Sequence, residues 1–315
     1  MVMNNNFEEY IDEIKCKLLT SEANIIEKPL NYGRQLILTK GNDKAVLCVY
    51  NGKKGYKLVW GQNVNGLSQL CQKILQQDYK LKADLNAPSI VFQDWPGFNG
   101  LWTGSDESGK GDYFGPLVVA AVCLQEKEAK DLIAAGIKDC KVLTDKKVLA
   151  LATIIKNVVP SHCVLIMKPQ VYNFRYAEIR KQGLNLNALL TNGHFNAISG
   201  VLKLRPECQW VLIDQFTREQ VLLQKLQIKY PDLRTVHQQP RAEVDIAVAA
   251  ASVLARAGFL NCMQELAKAV GLEDLPKGAG PQVTEVAKDL IRKYGQEILG
   301  QIAKLHFANT QALNR

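Results

Sequence analysis

Acidic residues stand at the ends of two predicted strands and at the start of one predicted helix. Asp106 and Glu107 follow a short apolar strand and run into the turn SGKGDYFG, and Asp214 ends the apolar strand QWVLID. Glu243 and Asp245 open the long apolar helix EVDIAVAAASVLARAGFL. In open α/β sheets, ligands bind at the carboxyl ends of strands. These carboxylates could therefore converge on one pocket.

A pocket of this composition suits a divalent cation. Clustered carboxylates repel one another unless they share a cation, and hard oxygen ligands suit Mg²⁺ or Mn²⁺. Two such ions ~4 Å apart can clamp the attacking and leaving oxygens of a phosphodiester. Helix capping and dipole roles explain acidic residues at these places equally well. The pattern alone leaves both interpretations open.

The first part of the chain predicts a small α+β unit. Apolar residues recur at helical spacing over about 7–20 and again over 65–80. Between them lie three strand-like runs, 34–40, 44–50 and 56–62, joined by the turns GND and NGKKG. Residues 83–99 carry two prolines and little periodicity. We place the boundary in this segment, with domains at 1–92 and 93–315.

The second part predicts an α/β domain. Strands are expected near 101–106, 115–124, 161–167 and 209–214. Helices are expected near 126–135, 145–157, 170–181, 185–202, 217–228, 244–269 and 282–303. Strands that alternate with helices favour a central sheet covered by helices.

Composition bounds the partners and the compartment. The 315 residues carry a net charge of +8, which favours a polyanionic partner, with an ordinary basic protein as the alternative. The eight cysteines are scattered without a CxxC pair, so neither zinc-ligand spacing nor a disulfide framework is evident. The start MVMNNNFEEYIDE has no signal core, and no apolar run approaches ~20 residues. We expect a cytoplasmic monomer without a membrane segment.

Several segments resemble one enzyme family. GSDESGKGDYFGPLVVAAV (104–122) resembles the active-site opening of type 2 ribonucleases H, and its DYFGP form resembles ribonuclease HIII in particular. Five later segments resemble segments of the same family, in the same order: KDCKVLTDKK (138–147), VLIDQF (211–216), RAEVDIAVAAASVLAR (241–256), LPKGAG (275–280) and KLHFANT (304–310). The resemblance implies a ribonuclease-H-like mixed central sheet flanked by helices. It also implies that residues 1–92 form a TATA-binding-protein-like domain that binds substrate.

The same resemblance implies the catalytic ligands. Asp106, Glu107 and Asp214 match metal ligands of the family, and Glu243 is favoured as the fourth. Asp245 lies about 200° further around a helix, so we treat it as a charge at the helix N-terminus. Neighbours on a strand point to opposite faces. We therefore expect the strand to end at Asp106 and Glu107, where the glycines that follow permit it.

Substrate contacts are implied in two places. Gly109, Lys110 and Gly111 match the turn that reads the ribose 2′-hydroxyl, for which an ordinary tight turn is the alternative. Phosphate contacts are expected from three further residues: Ser105, Lys141 and Lys277. Cys140 stands where the family has serine, and a thiol is a poorer hydrogen-bond donor. His306 is expected near the substrate or in product release, with a structural role as the alternative. The other histidines are read as structural: His162, His194 and His237.

The N-terminal hairpin NGKKGYK interleaves basic and aromatic side chains. The residues concerned are Lys53, Lys54 and Lys57, beside Tyr50, Tyr56 and Trp60. Such a pattern suits a nucleic-acid surface. A solvated hairpin with its aromatics packed on the sheet is the alternative.

The implied function is hydrolysis of the RNA strand of an RNA–DNA hybrid with two Mg²⁺ or Mn²⁺ ions, leaving 5′-phosphate and 3′-hydroxyl ends. Asp106, Asp214 and a further carboxylate would hold the ion at which water is activated. Asp106 and Glu107 would hold the ion beside the leaving 3′-oxygen.

Three alternatives compete with this function. Cleavage at single ribonucleotides in DNA, as by ribonuclease HII, is disfavoured by the extra N-terminal domain and the DYFGP and KLHFANT segments. A non-catalytic hybrid-binding protein is disfavoured because binding a polyanion gains nothing from clustered negative charge. An unrelated phosphate-binding protein is disfavoured because the glycine-rich turn lacks the GxxxxGK[ST] pattern.

Overall fold

The computed structural model describes residues 5–52, 55–61, 65–72, 74–75 and 88–313. The chain divides into two compact units, residues 1–86 and 87–315. The sequence-based boundary lay at 92/93. Residues 88–92 belong to the second unit because Ser89 bridges Asp245 and Phe92 is buried in the second unit's core.

The N-terminal unit is a helix followed by a four-stranded antiparallel sheet. Helix α1 spans Asn5–Leu18, and the strands are β1 (Asn24–Leu30), β2 (Gly33–Lys40), β3 (Asp43–Gly52) and β4 (Gly55–Trp60), in that spatial order. Residues 66–72 and 74–75 are helical. Alternate residues of β2 and β3 are buried with the apolar stripe of α1, as period-2 and period-3.6 patterns require.

Strand β1 was not predicted. It is an edge strand whose residues are mostly exposed and which contains Pro29, so it lacks the alternation that marks a half-buried strand. Part of the predicted helix over 65–80, namely 73 and 76–80, lies outside the described residues, as do Lys53 and Lys54.

The second unit contains five strands and nine labelled helices within its described residues 88–313. The strands are β5 (Leu101–Ser108), β6 (Leu117–Gln125), β7 (His162–Met167), β8 (Trp210–Asp214) and β9 (Thr235–Gln239). The helices are α2 (Glu126–Ala134), α3 (Asp145–Val158), α4 (Pro169–Lys181), α5 (Leu186–Leu204), α6 (Val221–Lys229), α7 (Ile246–Ala269), α8 (Pro281–Tyr294), α9 (Ile298–Ile302) and α10 (Ala308–Leu313).

The central sheet is mixed, with strand order β7-β6-β5-β8-β9. Strands β7, β6 and β5 are antiparallel, whereas β8 and β9 run parallel to β5. Strand β6 is buried on both faces, which is why LVVAAVCL reads as a continuous apolar run. The predicted mixed sheet flanked by helices is confirmed.

Helix α7 packs unusually close to β5. A Cβ atom on Gly104 would lie 2.3 Å from the backbone carbon of Ala247 and 2.3 Å from the nitrogen of Val248. Only glycine permits this approach, which brings the start of α7 beside the middle of β5. Within the described part of the chain, α7 is also the one helix long and apolar enough to span a membrane, yet 78% of its most apolar window is buried inside the protein.

Two other predictions were incomplete. Strand β9, TVHQQ, was missed because it is a polar edge strand with little apolar signal. The single helix expected near 282–303 is two helices, α8 and α9. The break occurs at Gly295, whose φ of 82° is incompatible with a continuing right-handed helix.

Candidate active site

Strand β5 presents its two carboxylates on opposite faces of the sheet. Pairing of β5 with β6 continues beyond both residues to Ser108, so the expectation that the strand ends at Asp106 and Glu107 was wrong. The long partner strand β6 keeps β5 extended. Asp106 therefore lies on the α7 face with Gly104, and Glu107 lies on the α5 face with Ser105.

Two carboxylates, Asp106 and Asp214, lie side by side on the α7 face. Asp214 ends β8, one residue beyond the parallel pairing of Ser105 with Ile213, so it lies next to Asp106 on the same face. Burial and the charges of Glu107 and Asp214 raise the pKa of Asp106 well above its usual range. Burial and the charge of Glu243 raise the pKa of Asp214 to about 6, although the amide of Ala242 donates a 3.0 Å hydrogen bond to it.

Glu243 lies in a short 3₁₀ turn, Ala242–Val244, immediately before α7. Its Oε1 lies 3.4 Å from Nζ of Lys141. Its Oε2 is buried and has no hydrogen-bond partner among the described residues. A buried carboxylate oxygen without a donor is costly unless a ligand satisfies it.

Asp245, the alternative fourth ligand, has both oxygens engaged within the protein. It is fully buried and caps α7: its Oδ1 accepts from the amides of Ala247 and Val248 at 2.8 and 3.4 Å and from Nε1 of Trp102 at 2.9 Å. Its Oδ2 accepts from the amide of Val91 at 3.0 Å. These bonds commit Asp245 to holding the start of α7.

On the opposite face, Glu107 contacts two basic side chains. Its Oε2 lies 3.1 Å from Nε2 of His194, a residue of α5, and its Oε1 lies 3.6 Å from Nζ of Lys110. Burial would raise the pKa of Glu107, but the hydrogen bond to His194 and the charges of His194 and Lys110 hold it below its usual value. Sequence reasoning read His194 as structural. The signal for a polar role is a histidine at a fully buried position of an apolar helix face.

The donor set fits a hard divalent cation. No three His, Cys, Asp or Glu side chains among the described residues stand close enough together to hold a metal ion as they are. Glu107 starts on the opposite face of the sheet, and Oε1 of Glu243 lies against Lys141. The two aspartates with raised pKa values and the orphaned oxygen of Glu243 all call for positive charge at this place.

The glycine-rich turn adjoins the carboxylates. Gly109 has a φ of +87°, and a Cβ there would lie 2.2 Å from the carbonyl oxygen of Pro116. Gly111 is exposed, and a Cβ there would meet no described atom within 4 Å. Gly109 therefore shapes the turn, while Gly111 leaves its backbone open to a ligand.

A cavity of about 430 Å³, lined by three basic and two acidic side chains, one of them Glu107, lies beside this turn. Its lining includes Lys110, Lys141, Cys140, Asp145 and Arg256. Arg256 was missed by sequence reasoning, although an arginine in the apolar helix α7 was a usable signal. Burial would lower the pKa of Lys141, but surrounding carboxylates keep it above its usual value, so it stays charged.

The three expected phosphate contacts differ in placement. Lys141 lines the cavity and is 66% exposed. Lys277 lies outside the cavity lining and forms an ion pair with Asp145, which also binds Arg256 at 3.2 Å. Ser105 is fully buried, and its hydroxyl lies 2.8 Å from the carbonyl oxygen of Ala120. Its side chain points into the α5 face, so a phosphate contact through this hydroxyl is excluded in this conformation.

His306 lies outside the carboxylate group, in an aromatic cluster. Its ring centroid lies 4.5 Å from that of Tyr176, and its Nδ1 lies 3.4 Å from the hydroxyl of Tyr172.

Of the aromatic residues of the N-terminal hairpin, two pack inward and one is exposed. Tyr56 stacks on Tyr10 at 4.5 Å and Trp60 packs against the core, whereas Tyr50 is 36% exposed opposite Lys57.

The chain is similar to known ribonucleases H of type 2. The family model for ribonuclease HII matches residues 103–310. A ribonuclease HIII from Protochlamydia amoebophila (strain UWE25) is 42% identical over 210 residues, covering 67% of each chain. One from Geobacillus sp. (strain WCH70) is 41% identical over 216 residues, covering 67% of this chain and 70% of that protein. The crystal structure of Bst-RNase HIII in complex with Mn²⁺ matches with a TM-score of 0.61 at 28% identity, covering 96% of this chain and 95% of the other.

The chain belongs to the ribonuclease HII family, a class of hydrolytic endoribonucleases. Within that family it groups with the ribonuclease HIII proteins, as the DYFGP and KLHFANT segments predicted. The structure of RNase H3 from Aquifex aeolicus also matches over both units, with a TM-score of 0.53 at 25% identity and coverage of 95% of this chain and 96% of that one.

Proposed function

We propose that this protein is a divalent-metal-dependent endonuclease that hydrolyses the RNA strand of RNA–DNA hybrids and leaves 5′-phosphate and 3′-hydroxyl ends. One observation carries the proposal. In a chain of this family, the buried Glu243 Oε2 has no partner among the described residues, and the charge of Glu243 helps to raise the pKa of Asp214, the neighbour of Asp106 on the α7 face.

The carboxylates provide the site for Mg²⁺ or Mn²⁺. Asp106, Asp214 and Glu243 would hold one ion on the α7 face. Glu107 would hold a second ion together with Asp106: although its side chain starts on the opposite face, its charge raises the pKa of Asp106. When bound, such ions lower the pKa of water and stabilise charge on the leaving oxygen. The protein contributes position and charge, so no covalent nucleophile from the chain is needed.

The substrate would lie along the turn and the cavity beside it. The open backbone at Gly111 can hydrogen-bond a ribose 2′-hydroxyl, which distinguishes RNA from DNA. Lys110, Lys141 and Arg256 supply positive charge for the phosphates that flank the scissile bond. Lys277 would join them on release from Asp145.

We also propose that the N-terminal unit, residues 1–86, binds the hybrid and that the second unit, residues 87–315, cuts it. Lys57 and the exposed Tyr50 form a basic and aromatic pair on its sheet. Replacing Lys57 with alanine should weaken hybrid binding and reduce its salt dependence without changing kcat.

A cytoplasmic monomer without a membrane segment is part of the proposal. The eight cysteines are free thiols, which suits a reducing compartment. Light scattering on the purified protein tests the monomer, and a mass twice that of the chain would contradict it.

The deciding experiment is cleavage of an end-labelled RNA–DNA hybrid with and without Mg²⁺ or Mn²⁺. Duplex RNA, duplex DNA and DNA with a single ribonucleotide serve as comparison substrates. Asp106→Asn should abolish cutting, whereas Asp131→Asn, on the exposed side of α2, should not. Retained cleavage by Asp106→Asn would refute the site. Strong cutting at the single ribonucleotide would support the ribonuclease HII type, and hybrid binding without cutting would support a binding protein.

A further inference from the structure

His194 is a buried histidine that the mechanism above does not use. It is fully buried in α5, and its ring stacks on Phe216 at 4.8 Å with an interplanar angle of 4°. Both ring nitrogens have partners: Nε2 lies 3.1 Å from Oε2 of Glu107, and Nδ1 lies 2.8 Å from Oγ of Ser105. A ring held on one face and at both nitrogens has a single orientation.

The partners fix the direction of the bond to Glu107. The hydroxyl of Ser105 has one proton and two neighbours at 2.8 Å, the carbonyl oxygen of Ala120 and Nδ1 of His194. If Ser105 donates its hydroxyl proton to the carbonyl oxygen of Ala120, then Nδ1 of His194 donates to the Ser105 oxygen. If Ser105 donates to Nδ1 instead, then Nδ1 is the acceptor. An ionised carboxylate can only accept. In both cases Nε2 of His194 carries a proton and donates it to Glu107.

Glu107 needs such a partner because of its place on β5. It follows Asp106 on an extended strand, so its side chain starts on the face opposite the other three carboxylates. Its second neighbour, Lys110, is 3.6 Å away and 39% exposed, so it is a less rigid partner than the buried histidine. The bond from His194 is therefore the contact that limits the rotation of the Glu107 carboxylate.

We propose that His194, itself held by Ser105 and Phe216, is a positioning residue that keeps Glu107 oriented for the divalent cation. This rests on the proposed function. Side chains that orient metal ligands by hydrogen bonding change metal affinity or activity by about 10–100-fold when they are replaced. Loss of the donor should free Glu107 to turn toward Lys110 and so weaken metal binding.

Calorimetric titration of the intact protein with Mn²⁺ tests this without relying on cleavage. His194→Leu should weaken Mn²⁺ binding by about 10–100-fold. His194→Gln should stay within a few-fold of the unchanged protein, because the amide nitrogen of glutamine can donate in place of Nε2. His162→Gln is the matched control, since Nδ1 of His162 contacts the backbone carbonyl oxygen of Val159 at 2.7 Å. It should leave Mn²⁺ binding unchanged.

A double-mutant cycle separates positioning from a general structural effect. Once Glu107→Gln has removed the ligand charge, adding His194→Leu should cause no further loss of Mn²⁺ affinity. An equal loss in both backgrounds, or unchanged affinity in His194→Leu, would overturn the proposal. If His194→Leu does not unfold cooperatively, His194→Gln is compared with the shorter His194→Asn, and equal affinities for these two overturn it.

The two proposals fail in different ways. A protein that binds Mn²⁺ with the expected dependence on His194 but cuts no hybrid contradicts the proposed function alone. A protein that cuts hybrids and shows no dependence on His194 contradicts the positioning role alone.

Discussion

The capping carboxylate of Asp245 sets how firmly α7 is held against the carboxylate site. Asp245→Ala removes the helix cap, which costs about 1 kcal/mol. It also leaves two buried donors, Nε1 of Trp102 and the amide of Val91, without acceptors at about 1–3 kcal/mol each. The sum is roughly 3–7 kcal/mol, and relief from burying a carboxylate offsets part of it. We expect a net destabilisation of about 3–5 kcal/mol.

The matched variant is Asp245→Asn. Its amide oxygen can occupy the place of Oδ1 and keep three of the four hydrogen bonds, those from Trp102, Ala247 and Val248. Its amide nitrogen would face the amide of Val91, so one donor meets another. We expect a cost of about 1–3 kcal/mol, clearly below that of alanine.

Urea and thermal unfolding followed by tryptophan fluorescence measure both variants. The signal is suitable because Trp95, Trp102 and Trp210 lie in the second unit. A loss of about 3–5 kcal/mol corresponds to a Tm decrease of about 6–20 °C for a unit of this size. An Asp245→Ala variant within about 1 kcal/mol of the unchanged protein would refute the reasoning. Equal losses for alanine and asparagine would refute the assignment of the bonds to Oδ1.

Three further predictions concern the site and its frame. Mn²⁺ affinity should fall about tenfold per pH unit below about pH 6, because a proton on Asp214, whose pKa is raised to about 6, competes with the ion. Calorimetric titrations from about pH 5 to 8 measure this, and an affinity that does not change with pH would contradict it. The stability of the metal-free protein depends on pH in the opposite direction. Folding raises the pKa of Asp214 from 3.8 to about 6, so protonated Asp214 favours the folded state at low pH, and this contribution is lost as the pH rises through about 6. Gly109→Ala should lower the free energy of unfolding by about 1–3 kcal/mol or more, because its Cβ would lie 2.2 Å from the carbonyl oxygen of Pro116. Gly111→Ala should change the free energy of unfolding by no more than about 0.5 kcal/mol. Equal unfolding free energies for the two variants would contradict the role given to Gly109. Lys304→Met should cost about 2–4 kcal/mol, because the buried Nζ, whose pKa burial lowers to about 7, lies within 3.4 Å of three consecutive carbonyl oxygens that methionine cannot satisfy. An unchanged urea midpoint would contradict this role.

Much of the architecture follows from local pattern. The continuous apolar run of β6 and the long apolar helix α7 are readable because burial on all sides requires apolar residues throughout. Edge strands are not readable in this way. Strands β1 and β9 are exposed or polar, and their backbones are ordered by neighbouring strands rather than by an apolar repeat of their own.

The identity of the candidate ligands was accessible from sequence, while their arrangement was not. Asp106, Glu107, Asp214 and Glu243 are marked by their place after apolar strands or before an apolar helix. Strand β6 decides that β5 stays extended through Glu107, so the first two carboxylates face opposite sides of the sheet. The same alternation turns Ser105 inward, where sequence reasoning expected a phosphate contact.

From the sequence by itself, apolar periodicity predicted the mixed α/β class, and the resemblance of its motifs identified the family and the candidate carboxylates, because these are local properties of the chain. The tertiary structure alone decided which partner each polar group has. The hydroxyl of Ser105, the ring of His194 and the guanidinium of Arg256 take their roles from elements that are distant in sequence but packed within a few ångströms. A side chain's hydrogen bonds and pKa depend on these neighbours, and only packing brings them together.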